Sequence, residues 1–566
     1  MDWGVSEQSH WAFQPLSRPQ VPERDPVVLC LNPIDNFIMK HLRDCNLLRV
    51  GRADSRHLVR RLSFSLTGFP PDHSRPKRYV NADDGDLDLL VNELSNDPGY
   101  GEHWARYWMD VARYADTNGY EHDGEKPLAW RCRDHVIQAF NEDLPYNQFF
   151  LRQVAGDLVP KPSQDDYVAV GFLRLGTWDS EPDDPLRDRY DQINEMVDAT
   201  SFAFLGISIQ CSRCQDHHKE PITSHDYYQV AALFDQLARP VNGILETAVP
   251  SASDSLLAED AEKSQQVRRL QKQAITERDE GRAGMLRRHA EAIEKTITHE
   301  AAYRFKQTPH RENGARLLRS GDPRNPGQFV QPGVPSVLIR SATSTPVRDR
   351  FEFANWLIAE HPVLLARLLV NRVWYWHFGR GLSPTPGTIG LSGSVPTHPE
   401  FLEWLSCWFV QEENWSIREL HRLIVSSATY RRTVPRQRLP ERTELFGEFS
   451  FRKLRAEEVH DAMRQVAGVL SRRSFGPPDQ PEFSSLHHAM VPEVTLQGTR
   501  TSEQRRAIYQ LVKRTLPHPF REPFQFPDST QGCVVRADVS NTVQAAALWD
   551  GPEANRTGSV PICGEH

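Results

Sequence analysis

The chain has 566 residues, with 67 basic and 75 acidic side chains, 39% hydrophobic residues and a net charge of −8. The balance excludes a disordered or fibrous chain, and the length exceeds the roughly 250–300 residues at which a single core tends to divide. Basic residues run no further than pairs such as Arg60-Arg61 and Arg505-Arg506, which predicts no nucleic-acid partner, because non-specific binding needs several cations in one place.

Residues 1–30 are rich in Pro and Gln and read as an extended lead-in. The start, Met1-Asp2-Trp3-Gly4, has neither a basic n-region nor an apolar core, so it predicts no signal peptide and, taken alone, a cytoplasmic chain. Ile34, Phe37, Ile38 and Leu42 recur at helical spacing, and a second apolar set, Leu58, Leu62 and Phe64, precedes the Phe69-Pro70-Pro71 stop. The clearest helix spans 100–116. Trp104, Trp108, Val111 and Ala115 form its apolar stripe, and Glu102, Arg106, Asp110 and Arg113 a charged one. The charged stripe reads first as a surface ladder, worth about 0.2–0.5 kcal/mol per pair. Its functional alternative is a polar cleft wall carrying Asp110 and Arg113, with Asp116 on the exit loop as a third catalytic candidate.

Residues 130–158 predict another helix and a turn at Leu144-Pro145-Tyr146. Residues 188–210 begin charged (Asp188, Arg189, Asp191, Glu195, Asp198) and end apolar, delivering the chain to Cys211. Residues 251–300 are dominated by Glu, Arg, Lys, Gln and Ala. They read as a solvated helix or hairpin around Gly281, within a charged linker over 241–310. Residues 318–338 predict a loop with a short strand or two. Beyond it, Thr397-His398-Pro399-Glu400 and Ser416-Ile417-Arg418-Glu419 have the spacing of capping boxes. The aromatic cluster from Phe353 to His377 reads as core. The tail 549–566 has neither periodicity nor caps. No stretch approaches the roughly 20 apolar residues of a membrane span. The fold class expected is mainly α: two helical modules, 31–240 and 311–548, joined by a charged helical linker, with few short strands.

One segment carries pointed chemistry: Cys211-Ser212-Arg213-Cys214-Gln215-Asp216-His217-His218. Two thiols at this spacing can hold a soft metal ion or the vinyl groups of haem. Cys211, Cys214, Asp216 and His217 form the expected metal-binding set, with the two cysteines as cofactor anchors. A divalent metal fits that set better than covalent haem, because Gln215 stands where a c-type motif has its axial histidine. Reduced cysteines in a helix–loop junction, or a thiol redox pair, would use the same residues.

The text Tyr100-Gly101-Glu102-His103-Trp104-Ala105-Arg106-Tyr107-Trp108-Met109-Asp110, with Leu62–Pro71, Gln153–Leu158 and Cys211–Pro221, resembles the second planctomycete cytochrome-C-like domain, a family of unknown function. Val370-Asn371-Arg372-Val373-Trp374, His377–Leu382, Pro396–Glu400 and Leu420–Ile424 resemble the planctomycete-specific domain that follows it. The resemblance covers roughly 30–240 and 310–548. It implies a Cys-x-x-Cys-His-Asp-His-Lys motif, matched here at Cys211, Cys214, Asp216 and His217 but not at Gln215 or His218. It also implies a periplasmic or cell-envelope setting and a separate cytochrome domain or envelope partner. Three functions follow as expectations: a metal- or haem-associated protein, a metal-dependent enzyme linked to polysaccharide degradation, or a binding scaffold with an exposed aromatic surface.

Overall fold

Short polar caps launch the helices. Asn32 accepts from the Ile34 amide while Asp35 turns back to the cap's own N–H, and Asp83 with Asp86 and Thr223 with Asp226 repeat the arrangement. Each satisfies two amides that a helix start leaves orphaned. In this computed structural model the principal helices are α1 (Pro33–Asp44), α2 (Ser55–Thr67), α3 (Asp84–Ser95), α4 (Gly99–Val111), α5 (Ala129–Asn141), α6 (Tyr146–Ala155), α7 (Pro185–Thr200), α8 (Ser224–Phe234), α9 (Arg350–Glu360), α10 (Pro362–Phe378), α11 (Pro399–Gln411), α12 (Ile417–Val425) and α13 (Ala456–Val466). The structure describes residues 9–237, 315–480 and 500–551, apart from 25–27, 340–345, 502–503 and a few single positions, together with parts of 247–303. Most of the 241–310 linker, the end of the tail and Cys563 lie outside the described residues.

The chain is mainly α. The loop expected over 318–338 holds an antiparallel hairpin, Ala315–Leu318 with Pro326–Val330. Within the linker, Glu280–Glu294 is helical and contains Gly281.

The two helical parts share one continuous hydrophobic core. Buried polar ties cross between them. Arg350 on α9 grips Asp157 through both guanidinium nitrogens, at 3.0 and 2.9 Å. Arg372 on α10 donates to the carbonyls of Phe202 and Ala203, at 2.6 Å each. Asp35 on α1 accepts from the amides of Ala428 and Thr429. Such pairs hold register more than they add net stability, because burying them costs much of what they gain.

Three expectations change. The charged stripe Glu102, Arg106, Asp110 and Arg113 is not a surface ladder, for all four side chains are buried. The Thr397 box does not form: α11 begins after His398 with no side-chain cap, and Thr397 Oγ1 donates instead to the Leu382 carbonyl at 3.2 Å. Ser416 does cap α12, accepting from the Glu419 amide, but Glu419 pairs forward with Arg422 rather than back to the cap. The aromatic run is core as expected, with Phe353, Trp374, Phe378, Phe401 and Trp404 buried. Tyr375 and Trp408 are half-buried, so little of the aromatic surface on which the scaffold reading relied is open. No single described helix is long and apolar enough to cross a membrane. The pair α9 and α10 passes only when joined across a 79° bend, and both helices are packed into the core.

Candidate functional site

The Cys segment is shaped by a 3-10 turn, Gln210–Arg213, that follows a π-helical turn ending at Gly206 in the left-handed region. Ser212 anchors it, its hydroxyl donating to the Ile222 carbonyl at 3.2 Å. Cys211 and Cys214 are both exposed free thiols. Cys214 lies against Gly321, where a Cβ would come within 2.8 Å of its sulfur. Asp216 accepts from the Ser224 amide at 2.8 Å, securing the first turn of α8. His217 is buried, and its Nδ1 accepts from the amides of Lys219 and Glu220 at 3.0 and 2.8 Å. Burial holds its pKa below the ordinary histidine value, so the ring serves as a neutral acceptor that braces the turn.

Of the four expected ligands, Asp216 and His217 therefore have separate structural tasks, and the two thiols are exposed. Among the described residues no three His, Cys, Asp or Glu side chains are placed to hold one metal ion. The donor set does not fit haem either, since the position after Cys214 is Gln215.

Of the three catalytic candidates, two are internal. Asp110 is enclosed by Arg106, Arg455 at 3.2 Å and Arg536 at 2.7 Å. Burial pushes its carboxyl up, but the guanidinia of Arg536, Arg106 and Arg455 outweigh that and hold it below the usual range. Glu457 shares Arg106 and Arg536 and is lowered in the same way. Asp116 accepts from the Tyr114 hydroxyl at 2.5 Å and the Val512 amide at 2.8 Å, and burial raises its pKa.

Arg113 is different. It leaves α4 with φ +58°, in the left-handed region, a conformation that costs a non-glycine residue about 1–3 kcal/mol. Its side chain is 4% exposed and lines a cavity of about 540 Å³ between the two helical parts. One wall comes from α7 and the Ile207–Gln210 turn, the other from Thr388 and Thr530–Gly532. Arg113 Nε pairs with Glu195 at 3.0 Å, while Nη1 and Nη2 have no hydrogen-bond partner among the described residues. Asp198, one turn along α7 from Glu195, faces the same cavity with Oδ1 unbonded. Burial pushes its carboxyl up to about 7. Arg213 and Arg113 pull it down, and Glu195 pushes it further up. Gly176 makes room for the pair, because a Cβ there would lie 1.6 Å from Glu195 Oε2. Below them Lys126 donates to the Gly176 carbonyl, its pKa drawn well down by burial and by Arg514.

Gln210 lines this cavity and directly precedes Cys211. The cavity thus collects one expected residue, Arg113, beside the cysteine segment, and adds Glu195 and Asp198. Sequence reading took those two only as the charged start of a helix. Their usable signal was their spacing, i and i+3, one turn before the apolar residues Ala199 and Phe202.

Residues 33–239 match a family model described as PSCyt2, a protein of unknown function (DUF1549), and residues 349–560 match PSD1, a protein of unknown function (DUF1553). The chain is a PSCyt2–PSD1 protein. The PSD1 match runs beyond Leu548, where the sequence resemblance ended. No curated protein and no solved structure matches the chain. The cavity has one wall from the PSCyt2 part and the other from the PSD1 part, so neither part encloses it alone.

Proposed function

We propose that the cavity between the PSCyt2 and PSD1 parts binds a small carboxylate-bearing ligand, with Arg113 as the anion contact and Glu195 and Asp198 as an acid–base couple. The observation that carries this reading is the buried Arg113 guanidinium, with two unbonded nitrogens beside an unbonded Asp198 oxygen. An unsatisfied buried polar group costs about 1–3 kcal/mol, and a fold keeps such a group where a ligand completes it. A guanidinium fork matches a carboxylate in two parallel bonds. An acid that changes charge near neutrality, next to a second carboxylate, suits proton transfer to or from a bound group.

The metal- or haem-associated reading rests on the Cys-x-x-Cys spacing, with no third ligand beside it among the described residues. The reading as an enzyme of polysaccharide degradation keeps Arg113 but loses Asp110 and Asp116, whose carboxylates are committed to internal partners. The test is calorimetric titration of the full chain with malonate and glucuronate. Binding by the wild type, lost in Arg113→Met and retained in Cys211→Ser, supports the reading. Equal affinity of wild type and Arg113→Met for both acids refutes it.

A further inference from the structure

A second concave surface lies apart from the cavity and has the opposite electrostatic character. It is a groove of about 970 Å³ between α2, the end of α10 and the segments 449–455 and 536–544. Seven arginines and lysines line it against one acid, Asp538, in a chain whose net charge is −8. Arg380, Arg452, Arg455 and Arg536 pair with acids outside the groove lining, Glu444, Glu458 and Asp110 among them. Arg61 lies 3.5 Å over Phe449 and donates to the carbonyls of Tyr430 and Arg432, and Arg60 lies 4.6 Å over Phe64. Neither has a carboxylate partner among the described residues. Lys453 pairs with Asp538 at the rim, where both are partly exposed.

The same surface is apolar at its edge. Phe451 is 69% exposed and Val539 50%, and both line the groove. The helix Thr542–Asp550 borders the groove through Gln544. Apolar exposure beside concentrated charge marks an interaction surface.

We infer that this groove docks a partner protein through a segment in which acidic and apolar side chains alternate. Charge complementarity selects an anion for the floor, and steering by such a patch speeds its encounter. The apolar rim then separates the candidate anions. A sulfated or carboxylated glycan would satisfy the cations but leave Phe451 and Val539 in water. A single-stranded nucleic acid stacks successive bases on open aromatic faces, yet along the floor those of Phe64, Phe449 and Tyr107 are already covered by Arg60, Arg61 and Arg455, and the open ring of Phe451 stands at the rim. Acidic and apolar groups on one segment answer both halves of the surface.

The test uses the full chain and fluorescence anisotropy with four labelled probes: a short peptide alternating Glu with Leu and Phe, a peptide of equal charge alternating Glu with Gly, a dextran sulfate fragment and an oligothymidylate. The Glu/Leu/Phe peptide binds tightest, and its affinity falls with added salt. Arg60→Glu weakens it roughly tenfold, and Phe451→Ser does so by a similar factor. Both side chains are exposed, and an unchanged melting temperature shows that each variant is folded. The inference is overturned if the Glu/Gly peptide binds equally well, if the sulfated glycan or the oligonucleotide binds more tightly, if Arg60→Glu leaves peptide affinity unchanged, or if no peptide binds.

Discussion

Two charge clusters flank the C-terminal end of α4, one around Asp110 in its last turn and one around Arg113 just beyond it. Around Asp110, two carboxylates and three arginines close on one another, and Asp110 and Glu457 sit below their ordinary pKa values. Around Arg113, two carboxylates and a guanidinium border open space, and Asp198 is pushed up to about 7. The residue types are the same, but the first cluster sets three guanidinia against its two buried carboxylates, and the second sets one against two that are half-buried. What separates them is completeness: the first cluster satisfies itself, while the second leaves an oxygen and two nitrogens for something else. The first therefore reads as structure and the second as a site.

The sharpest way to break that contrast is to damage the closed cluster. Glu457→Gln leaves Arg106 and Arg536 partly unpaired inside the protein and is expected to cost about 3–5 kcal/mol in urea unfolding. A loss as small as that of a surface substitution would show that the cluster is not the closed unit described.

Acid offers a second comparison. His377 and His398 are pushed down to about 3 by burial, whereas an unfolded histidine titrates near 6.5. The unfolded chain therefore binds more protons between those values, and stability falls as the pH drops from 6.5 toward 3. At pH 5 the loss is about 2 kcal/mol for each histidine. Melting temperatures that hold steady from pH 7 to pH 5 would contradict it.

Asp198 has the opposite sign. Its folded pKa of about 7 exceeds the roughly 3.9 of an unfolded aspartate. The folded state binds more protons in that window, so the stability this group provides at low pH is lost as the pH rises from about 4 to 7. Asp198→Asn should thus be more stable than the wild type at pH 8, by about 1–2 kcal/mol after allowance for partial solvent access, and indistinguishable at pH 4. A variant destabilised at both pH values would place Asp198 among the structural acids.

The smallest effect belongs to the cysteines. Cys211→Ser with Cys214→Ser should change stability by less than about 0.5 kcal/mol, as exposed substitutions do. The two should react with a thiol reagent at once, while Cys132, buried and pushed up to about 12, stays inert until unfolding. Slow modification of Cys211 and Cys214 would mean that the segment is more occluded than its geometry implies.

Sequence reading found most helices, because their apolar spacing and caps are local. Ile34, Phe37, Ile38 and Leu42 sit on one face, and all four are buried. It missed the burial of the α4 charges for an equally physical reason. Asp110 is neutralised by Arg455 and Arg536, which lie 345 and 426 residues further along the chain, and no local pattern reports a partner at that distance. The cysteine segment stood out by spacing, yet its side chains spread over an anchor, a cap and two exposed thiols. The cavity went unseen because its walls come from both parts of the chain, and because an acid facing a cavity has the same spelling as one facing water.

The grip of Arg372 on the carbonyls of Phe202 and Ala203 has a consequence for how such a chain can vary. Both acceptors belong to the main chain, so these bonds need arginine on one side and constrain the other only through the Phe202 ring, which Arg372 faces at 5.3 Å. Residues on the turn beside the pocket are then free to drift while the two halves remain in register. A descendant could reshape what the pocket accepts, one substitution at a time, without loosening the seam along which the pocket is built.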